Sequence, residues 1–126
     1  MKDMVLIVDD EKILLLMEKI ISKNYGTIIA ENGSKGLKAF QDNADNISLV
    51  ITDQTMPNML GSEMITEIRK IKPSIPVIFI TSLNSIPYDG GYHMLHKPFN
   101  ISDLNDLVKM IMNSYHTGDT GVYRKG

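Results

Sequence analysis

The sequence predicts an α/β domain, a single doubly wound parallel sheet of five strands with helices on both faces. Short apolar runs rich in Val and Ile alternate along the chain with longer segments of helical periodicity. These runs are apolar throughout, as expected of strands that are buried on both faces. The chain has 126 residues, of which 43% are hydrophobic, and this is enough for one packed core.

The predicted strands alternate with the predicted helices in chain order. They span residues 4–8, 27–30, 49–52, 77–81 and, more weakly, 93–95. Such alternation indicates parallel strands joined by right-handed crossovers. We therefore predict the strand order 2-1-3-4-5, in which the first and third strands are neighbours.

Apolar residues repeat on one face of each segment between strands, which is typical of helices that cover a sheet. The faces are formed by Ile13, Met17, Ile20 and Ile21; by Leu37 and Phe40; by Met64, Ile68 and Ile71; and by Leu104, Leu107, Val108 and Ile111. Asn32 and Gly33 predict a turn before the second helix. Asn58 and Asn100 are predicted to cap the third and the last helix.

Composition excludes several classes of function. The sequence has no cysteine, so disulfides, thiolate metal sites and cysteine nucleophiles are ruled out. The formal net charge of -2 gives no sign of nucleic-acid binding. No apolar run is long enough for a signal peptide or a membrane helix. We expect a cytoplasmic protein that binds neither membrane nor nucleic acid directly.

Acidic residues follow two of the predicted strands. Asp9 and Asp10 come directly after the first strand, and Asp53 follows the third. Because neighbouring parallel strands end at one edge of the sheet, the three carboxylates are expected to lie together. Their repulsion requires either a proton on one carboxylate or a hard cation such as Mg²⁺, a combination suited to phosphoryl chemistry. The alternative for Asp9 and Asp10 is that they merely cap the next helix.

Two further polar residues follow the remaining strands. Thr81 ends the fourth strand, where its hydroxyl can reach the same edge of the sheet. Lys97 follows the fifth strand, where its ammonium group can neutralise phosphate oxygens. Taken alone, each has a simpler explanation, since Thr commonly ends strands and most lysines are solvated.

Together these motifs resemble those of response regulator receiver domains over residues 4–115. The matching segments are Val8-Asp9-Asp10, Asp53-Gln54-Thr55-Met56-Pro57 with Gly61, Thr81-Ser82, and Lys97-Pro98-Phe99. The resemblance implies that Asp53 is the phosphoacceptor, that Lys97 contacts the phosphoryl group, and that Thr81 is the switch hydroxyl. It implies ligands for Mg²⁺ or Mn²⁺ from Asp10, Asp53, the Thr55 backbone carbonyl and, through water, Asp9.

The same resemblance implies partners and a reaction. The phosphodonor is expected to be a sensor histidine kinase or a phosphotransfer protein, and the signal is expected to pass to an output domain or a downstream protein. Such a domain is not an enzyme with a separate substrate. It catalyses only its own phosphorylation and its own slow dephosphorylation.

One departure from the family pattern concerns the segment between Thr81 and Lys97, which are only 16 positions apart. Receiver domains usually have more than one extra helical turn there. Pro87 and the pair Gly90-Gly91 also oppose a regular helix. We therefore predict that the fourth helix is shortened or absent.

A second departure concerns the switch aromatic, because Met94 stands where the family usually has Tyr or Phe. Tyr92 lies two residues earlier and would face the same side of a strand, so it is a candidate substitute. The alternative, which we favour, is that Tyr92 only packs. His93 and His96 are nearby, and we also expect packing or surface roles for them.

We expect a receiver domain over residues 1–116 and a flexible tail or the start of a linker over residues 117–126. The main alternative function is a pseudo-receiver, a protein-binding module with atypical or no phosphorylation. A phosphatase of the haloacid dehalogenase type would need an acid where this chain has Thr55. A flavin-binding domain would need a phosphate-binding loop after the first strand, where this chain has acids.

Overall fold

A computed structural model describes the backbone of residues 3–117 and the side chains of residues 3–114. Its strands are β1 (Met4–Val8), β2 (Gly26–Ala30), β3 (Ile47–Asp53), β4 (Val77–Thr81) and β5 (His93–His96). Its helices are α1 (Ile13–Ile21), α2 (Gly33–Asn43), α3 (Gly61–Ile71) and α4 (Ile101–Thr117). All strand pairs are parallel, in the order β2-β1-β3-β4-β5, which confirms the predicted fold.

The two faces of the sheet carry separate apolar layers. Alternate residues of β1 point to opposite faces, with Val5 and Ile7 on one side and Leu6 and Val8 on the other. The first layer packs against α1 and α4, and the second packs against α2 and α3. Burial on both faces explains why the strands are apolar throughout rather than alternating with polar residues.

The segment between β4 and β5, residues 82–92, contains no helix in the described part of the chain. The prediction of a shortened or absent fourth helix is thus confirmed. Ile86 is buried here, and Tyr88 and Tyr92 pack around Phe79 of β4 on the α3 side of the sheet. A compact loop therefore covers the part of the sheet that a helix would otherwise cover.

The helix caps differ in part from the predictions. Asn32 is the N-cap residue of α2, where its side chain accepts a hydrogen bond from the Lys35 amide at 2.8 Å. Asn100 directly precedes α4. The prediction for Asn58 was wrong, because α3 begins at Gly61 and its N-cap residue is Leu60. Asn58 instead has a left-handed backbone with φ of 72°, which asparagine tolerates better than most residues.

The predicted boundary between the receiver domain and the tail stays a prediction. Thr117, predicted as the first residue of the tail, ends α4. Residues 118–126 of the predicted tail lie outside the described residues, so their character stays a prediction.

Candidate functional site

The carboxyl ends of β1 and β3 bring the predicted acids together. Val8 pairs with Thr52 in the parallel register, so Asp9 and Asp53 emerge side by side at one edge of the sheet. Asp9, Asp10, Glu11 and Asp53 each place a carboxylate oxygen within 4.8 Å of those of the others. Asp9 and Asp53 are buried, with exposed fractions of 0% and 5%, whereas Asp10 and Glu11 are exposed.

Only one of the two carboxylate oxygens of Asp9 accepts a hydrogen bond within the described residues. Its Oδ1 accepts a hydrogen bond from the Glu11 amide at 2.9 Å, while its buried Oδ2 accepts none within the described residues. The pKa of the Asp9 carboxyl is raised to about 6, mainly by burial; the hydrogen bond from the Glu11 amide opposes this shift, and the negative charge of Asp53 contributes to it. A buried carboxylate oxygen with no donor beside three other acids suits a cation.

Asp53 meets Lys97 across the edge of the sheet. The Lys97 Nζ lies 3.4 Å from Asp53 Oδ2 and 3.3 Å from Glu11 Oε1. Burial raises the pKa of the Asp53 carboxyl, against the charge of Lys97 and hydrogen bonds from Lys97 and from the amides of Gln54 and Thr55. Burial also opposes the charge on Lys97, but the surrounding acids raise the Lys97 pKa overall.

The chain after β5 directs Lys97 into this cluster. The Lys97 amide donates a hydrogen bond to the Thr81 carbonyl at 2.7 Å, which continues the β4–β5 pairing by one residue. The following peptide bond, to Pro98, is cis. The lysine thus extends from the end of the sheet toward Asp53.

Thr81 is buried at the end of β4, one residue beyond Ile80, the register partner of Asp53. Its Oγ1 accepts a hydrogen bond from the Leu83 amide at 3.0 Å. The hydroxyl therefore holds the first turn of the β4–β5 loop. Its position beside Asp53 at the edge of the sheet is as predicted, and its switch role stays a prediction.

The loop between β3 and α3 is tied tightly to Asp53. The Gly61 amide donates to the Gln54 carbonyl at 2.9 Å, and a Cβ on Gly61 would lie 2.2 Å from the Asp53 carbonyl oxygen. Only glycine allows this close backbone approach. Thr55 has an exposed side chain in the loop, and the role of its carbonyl as a metal ligand stays a prediction.

Tyr92 and Met94 lie on the same side of the sheet, as predicted. Both pack into the layer that contains Phe79, and Tyr92 meets the Phe79 ring edge to face with centroids 5.3 Å apart. This contact favours the packing role of Tyr92, and a switch role stays untested. Of the neighbouring histidines, His93 is buried and His96 is exposed.

Sequence reasoning missed three contributors to the site. Glu11 follows Asp9 and Asp10 directly in the sequence, yet its pairing with Lys97 was not predicted. Gln54 and Ser62 form two hydrogen bonds to each other behind Asp53. The run Asp9-Asp10-Glu11 could have indicated that Glu11 also lies in the site. No spacing rule connects Gln54 with Ser62.

Within residues 3–117, no helix has the length and the apolar character needed to cross a membrane. A family model described as response regulator receiver domain matches residues 5–109.

Two curated proteins illustrate the similarity. The histidine kinase P4 of Formosa agariphila is 35% identical over 122 residues, which cover 90% of this chain and 9% of that protein. The transcriptional regulatory protein GlrR of Escherichia coli is 36% identical over 111 residues, which cover 82% of this chain and 24% of that protein. The chain thus spans a quarter or less of the length of these relatives.

Among solved structures, a response regulator receiver domain protein from Clostridium thermocellum superposes with a TM-score of 0.79 at 26% identity. The match covers 91% of this chain and 98% of that one. The family match over most of the chain agrees with the strand order and with the acids at the ends of β1 and β3. The chain belongs to the response regulator receiver domain family, the signalling modules of two-component systems.

Proposed function

We propose that this chain is a phosphoacceptor domain in which Asp53 takes a phosphoryl group from a phosphohistidine of a sensor histidine kinase or a phosphotransfer protein. The observation that carries the proposal is the position of Asp53. Its carboxylate is buried among three other acids, and one of its oxygens lies 3.4 Å from the Lys97 ammonium. A carboxylate nucleophile beside a cationic group suits transfer of an anionic phosphoryl group.

The acidic cluster fits Mg²⁺ or Mn²⁺. Hard cations prefer carboxylate and carbonyl oxygens, and the unsatisfied Oδ2 of Asp9 gives the cluster a reason to bind one. The residues that would hold the ion are Asp10, Asp53, the Thr55 carbonyl and, through water, Asp9. The bound ion would neutralise negative charge on the transferred phosphoryl group.

The proposed reaction is an in-line displacement at phosphorus. An oxygen of the Asp53 carboxylate forms the new O–P bond while the P–N bond to the donor histidine breaks, and the imidazole leaves with the electron pair. Lys97 and the amides of Gln54 and Thr55 surround that carboxylate, so they are placed to stabilise charge on the phosphoryl oxygens. Attack of water on the same phosphorus would return the domain slowly to its starting state.

Signal output is proposed to begin at Thr81. Its hydroxyl holds the Leu83 amide, and a phosphoryl group on Asp53 offers it a stronger, charged partner. Rotation toward the phosphoryl oxygens would release the first turn of the β4–β5 loop and change the surface that an output domain or a downstream protein contacts. Phosphorylation would shift the equilibrium between the two conformations of the loop only as far as the phosphoryl group contacts one conformation better than the other.

One observation favours a second candidate, a pseudo-receiver with atypical or no phosphorylation-dependent output. The described residues between β4 and β5 contain no helix, and Tyr92 packs against Phe79. The usual output surface is thus altered, while the acids and Lys97 remain in place.

The deciding experiment measures intact mass after incubation with phosphoramidate or acetyl phosphate in the presence of Mg²⁺. We expect a gain of one phosphoryl group that is lost in Asp53→Ala. The control is Asp42→Ala, because Asp42 is an exposed acid paired with Lys38 on α2, and it should be phosphorylated like the unaltered protein. No mass gain in a protein that still binds Mg²⁺ would establish the pseudo-receiver instead.

A further inference from the structure

Gln54, the residue after the phosphoacceptor, is buried with an exposed fraction of 2%. Its Oε1 accepts a hydrogen bond from the Ser62 amide at 2.8 Å, and its Nε2 donates one to the Ser62 hydroxyl at 2.9 Å. A buried amide is destabilising unless both of its ends find partners. Here a single residue of α3 satisfies both ends.

The backbone of Gln54 is attached to the same helix end. Its carbonyl accepts a hydrogen bond from the Gly61 amide at 2.9 Å. The first amides of a helix lack partners within the helix, and in α3 two of these amides, of Gly61 and Ser62, donate to Gln54. Three hydrogen bonds thus connect one residue of the loop to the first turn of α3.

On its other side, the backbone at Gln54 lies next to the Asp53 carboxylate. The amides of Gln54 and Thr55 face the Asp53 carboxylate closely enough to lower the pKa of its carboxyl. The backbone between Asp53 and Thr55 is therefore held between the acceptor carboxylate and α3. Because Thr55 is a proposed ligand through its carbonyl, any rotation of this backbone would move both the amides and that carbonyl.

We propose that Gln54 is a positioning residue, whose two-point hydrogen bonding to Ser62 fixes the amides and the carbonyl that the phosphoacceptor site uses. The proposal rests on the proposed function. It differs from simple capping of α3, because capping alone would affect the stability of the helix and leave the loop at Asp53 unchanged.

The principal variant is Gln54→Met, which keeps an unbranched side chain of similar length and removes both hydrogen bonds. The milder variant is Ser62→Ala, which removes the Nε2 contact and keeps the Ser62 amide. The matched control is Glu63→Ala, because the Glu63 Oε1 accepts from the Leu60 amide at 2.8 Å at the same end of α3 and does not touch Gln54. All three variants weaken the start of one helix, and only the first two alter the Gln54–Ser62 pair.

The first readout is amide hydrogen exchange of residues 54–56 in the protein with metal removed. We expect exchange to become about tenfold faster in Gln54→Met, less so in Ser62→Ala, and to stay unchanged in Glu63→Ala. The second readout is Mg²⁺ affinity by calorimetry, and we expect Gln54→Met to weaken it about tenfold, as loss of a supporting contact commonly does. In the Gln54→Met background, Ser62→Ala should have no further effect.

Equal exchange at residues 54–56 in Gln54→Met and Glu63→Ala would overturn the proposal and leave Gln54 as a cap of α3. The same conclusion would follow if Gln54→Met lowered only the melting temperature and left Mg²⁺ affinity unchanged. Failure of the unaltered protein to accept a phosphoryl group would refute the proposed function alone, because the exchange measurement needs neither metal nor phosphodonor.

Discussion

Asp9 is a buried acid whose negative charge is only partly compensated in the site. It is fully buried, one of its carboxylate oxygens has no donor among the described residues, and its nearest acids include Asp53. Burial is the main reason that the pKa of its carboxyl rises from an ordinary 3.8 to about 6. The folded protein therefore holds a proton on Asp9 over a pH range in which the unfolded chain has lost it.

This difference makes stability depend on pH in a defined direction. Between pH 3.8 and about 6 the folded state binds more protons at Asp9, so protonation stabilises it. That contribution is complete below pH 3.8 and is lost as the pH rises through about 6. We expect Asp9→Asn to remove it. In urea unfolding with a chelator present, the gap between variant and unaltered protein should widen by up to about 3 kcal/mol from pH 4 to pH 7.

Comparison with Asp9→Asn is necessary because other acids titrate in the same range. Asp42→Asn serves as the control, since this exposed acid on α2 should leave the pH profile unchanged. Parallel profiles for Asp9→Asn and the unaltered protein would show that the charge on Asp9 is compensated in another way.

The positions of residues that directly follow strands were predictable from the sequence. Contacts that depend on how helices pack against loops were not. The placement of Asp9, Asp53 and Lys97 follows from strand order alone, because parallel strands end at one edge of the sheet. The hydrogen bonds of Gln54 depend on how α3 approaches the loop after β3, and no short-range pattern encodes that approach.

At the scale of elements, Arg69 of α3 fixes the loop that replaces a helix between β4 and β5. Its Nη1 donates to the Tyr88 hydroxyl at 3.0 Å and to the Gly91 carbonyl at 2.6 Å, and its Nη2 donates to the Ile75 carbonyl at 2.9 Å. The guanidinium carbon also lies 5.5 Å from the centre of the Tyr88 ring. One planar cation therefore joins α3 to the later part of the β4–β5 loop and to the chain just before β4.

We expect Arg69→Ala to destabilise the fold by about 1–3 kcal/mol, because several charge-assisted hydrogen bonds are lost together. Arg69→Lys should restore little, since an ammonium group cannot reproduce the fork of the guanidinium. Tyr88→Phe is the matched control and should lose about 0.5–1.5 kcal/mol, the usual contribution of one hydrogen bond. Chemical unfolding measures all three, and hydrogen exchange of residues 86–92 should rise most in Arg69→Ala.

If Arg69→Ala and Tyr88→Phe were equally destabilised, the bonds to the Gly91 and Ile75 carbonyls would contribute nothing. The loop would then be held by the Arg69–Tyr88 hydrogen bond and by its apolar contacts with Phe79.

The absence of a helix between β4 and β5 was predictable from the backbone chemistry of that segment. Pro87 and the glycine pair oppose a helix, and the described residues between β4 and β5 contain none. The role of Arg69 as the anchor was not predictable, because its contacts with Tyr88 and Gly91 join residues 19 and 22 positions apart. The prediction that Asn58 caps α3 was wrong because a residue type that favours the cap position does not determine where the helix begins.

At the scale of the whole molecule, the fold places four acids together at one edge of a largely apolar sheet. The two layers of the core bury the strands on both faces, so the strand ends provide the polar surface nearest to the core. The strand order was predictable because alternation and right-handed crossovers leave few arrangements. This strand order brings four negatively charged side chains together on folding. Without a counterion, their mutual repulsion destabilises the folded state.

A cation that binds the folded acids should therefore stabilise the whole domain. Each tenfold rise in Mg²⁺ above its dissociation constant should add about 1.4 kcal/mol to the free energy of unfolding. Asp10→Asn should flatten this dependence, whereas Asp42→Asn should preserve it, since Asp42 lies in a surface pair on α2. Thermal unfolding with NaCl at matched ionic strength separates binding from general screening.

The effect should also be larger at pH 7 than at pH 5.5, because protons and Mg²⁺ compete for the same carboxylates and the pKa of Asp9 is about 6. Equal stabilisation of Asp10→Asn and the unaltered protein would place the ion elsewhere on the surface. Equal stabilisation by NaCl and MgCl₂ would mean that the acids are merely screened. Either result would remove the cation from the proposed chemistry, whereas a pH-dependent effect lost in Asp10→Asn would tie it to the edge of the sheet where Asp53 lies.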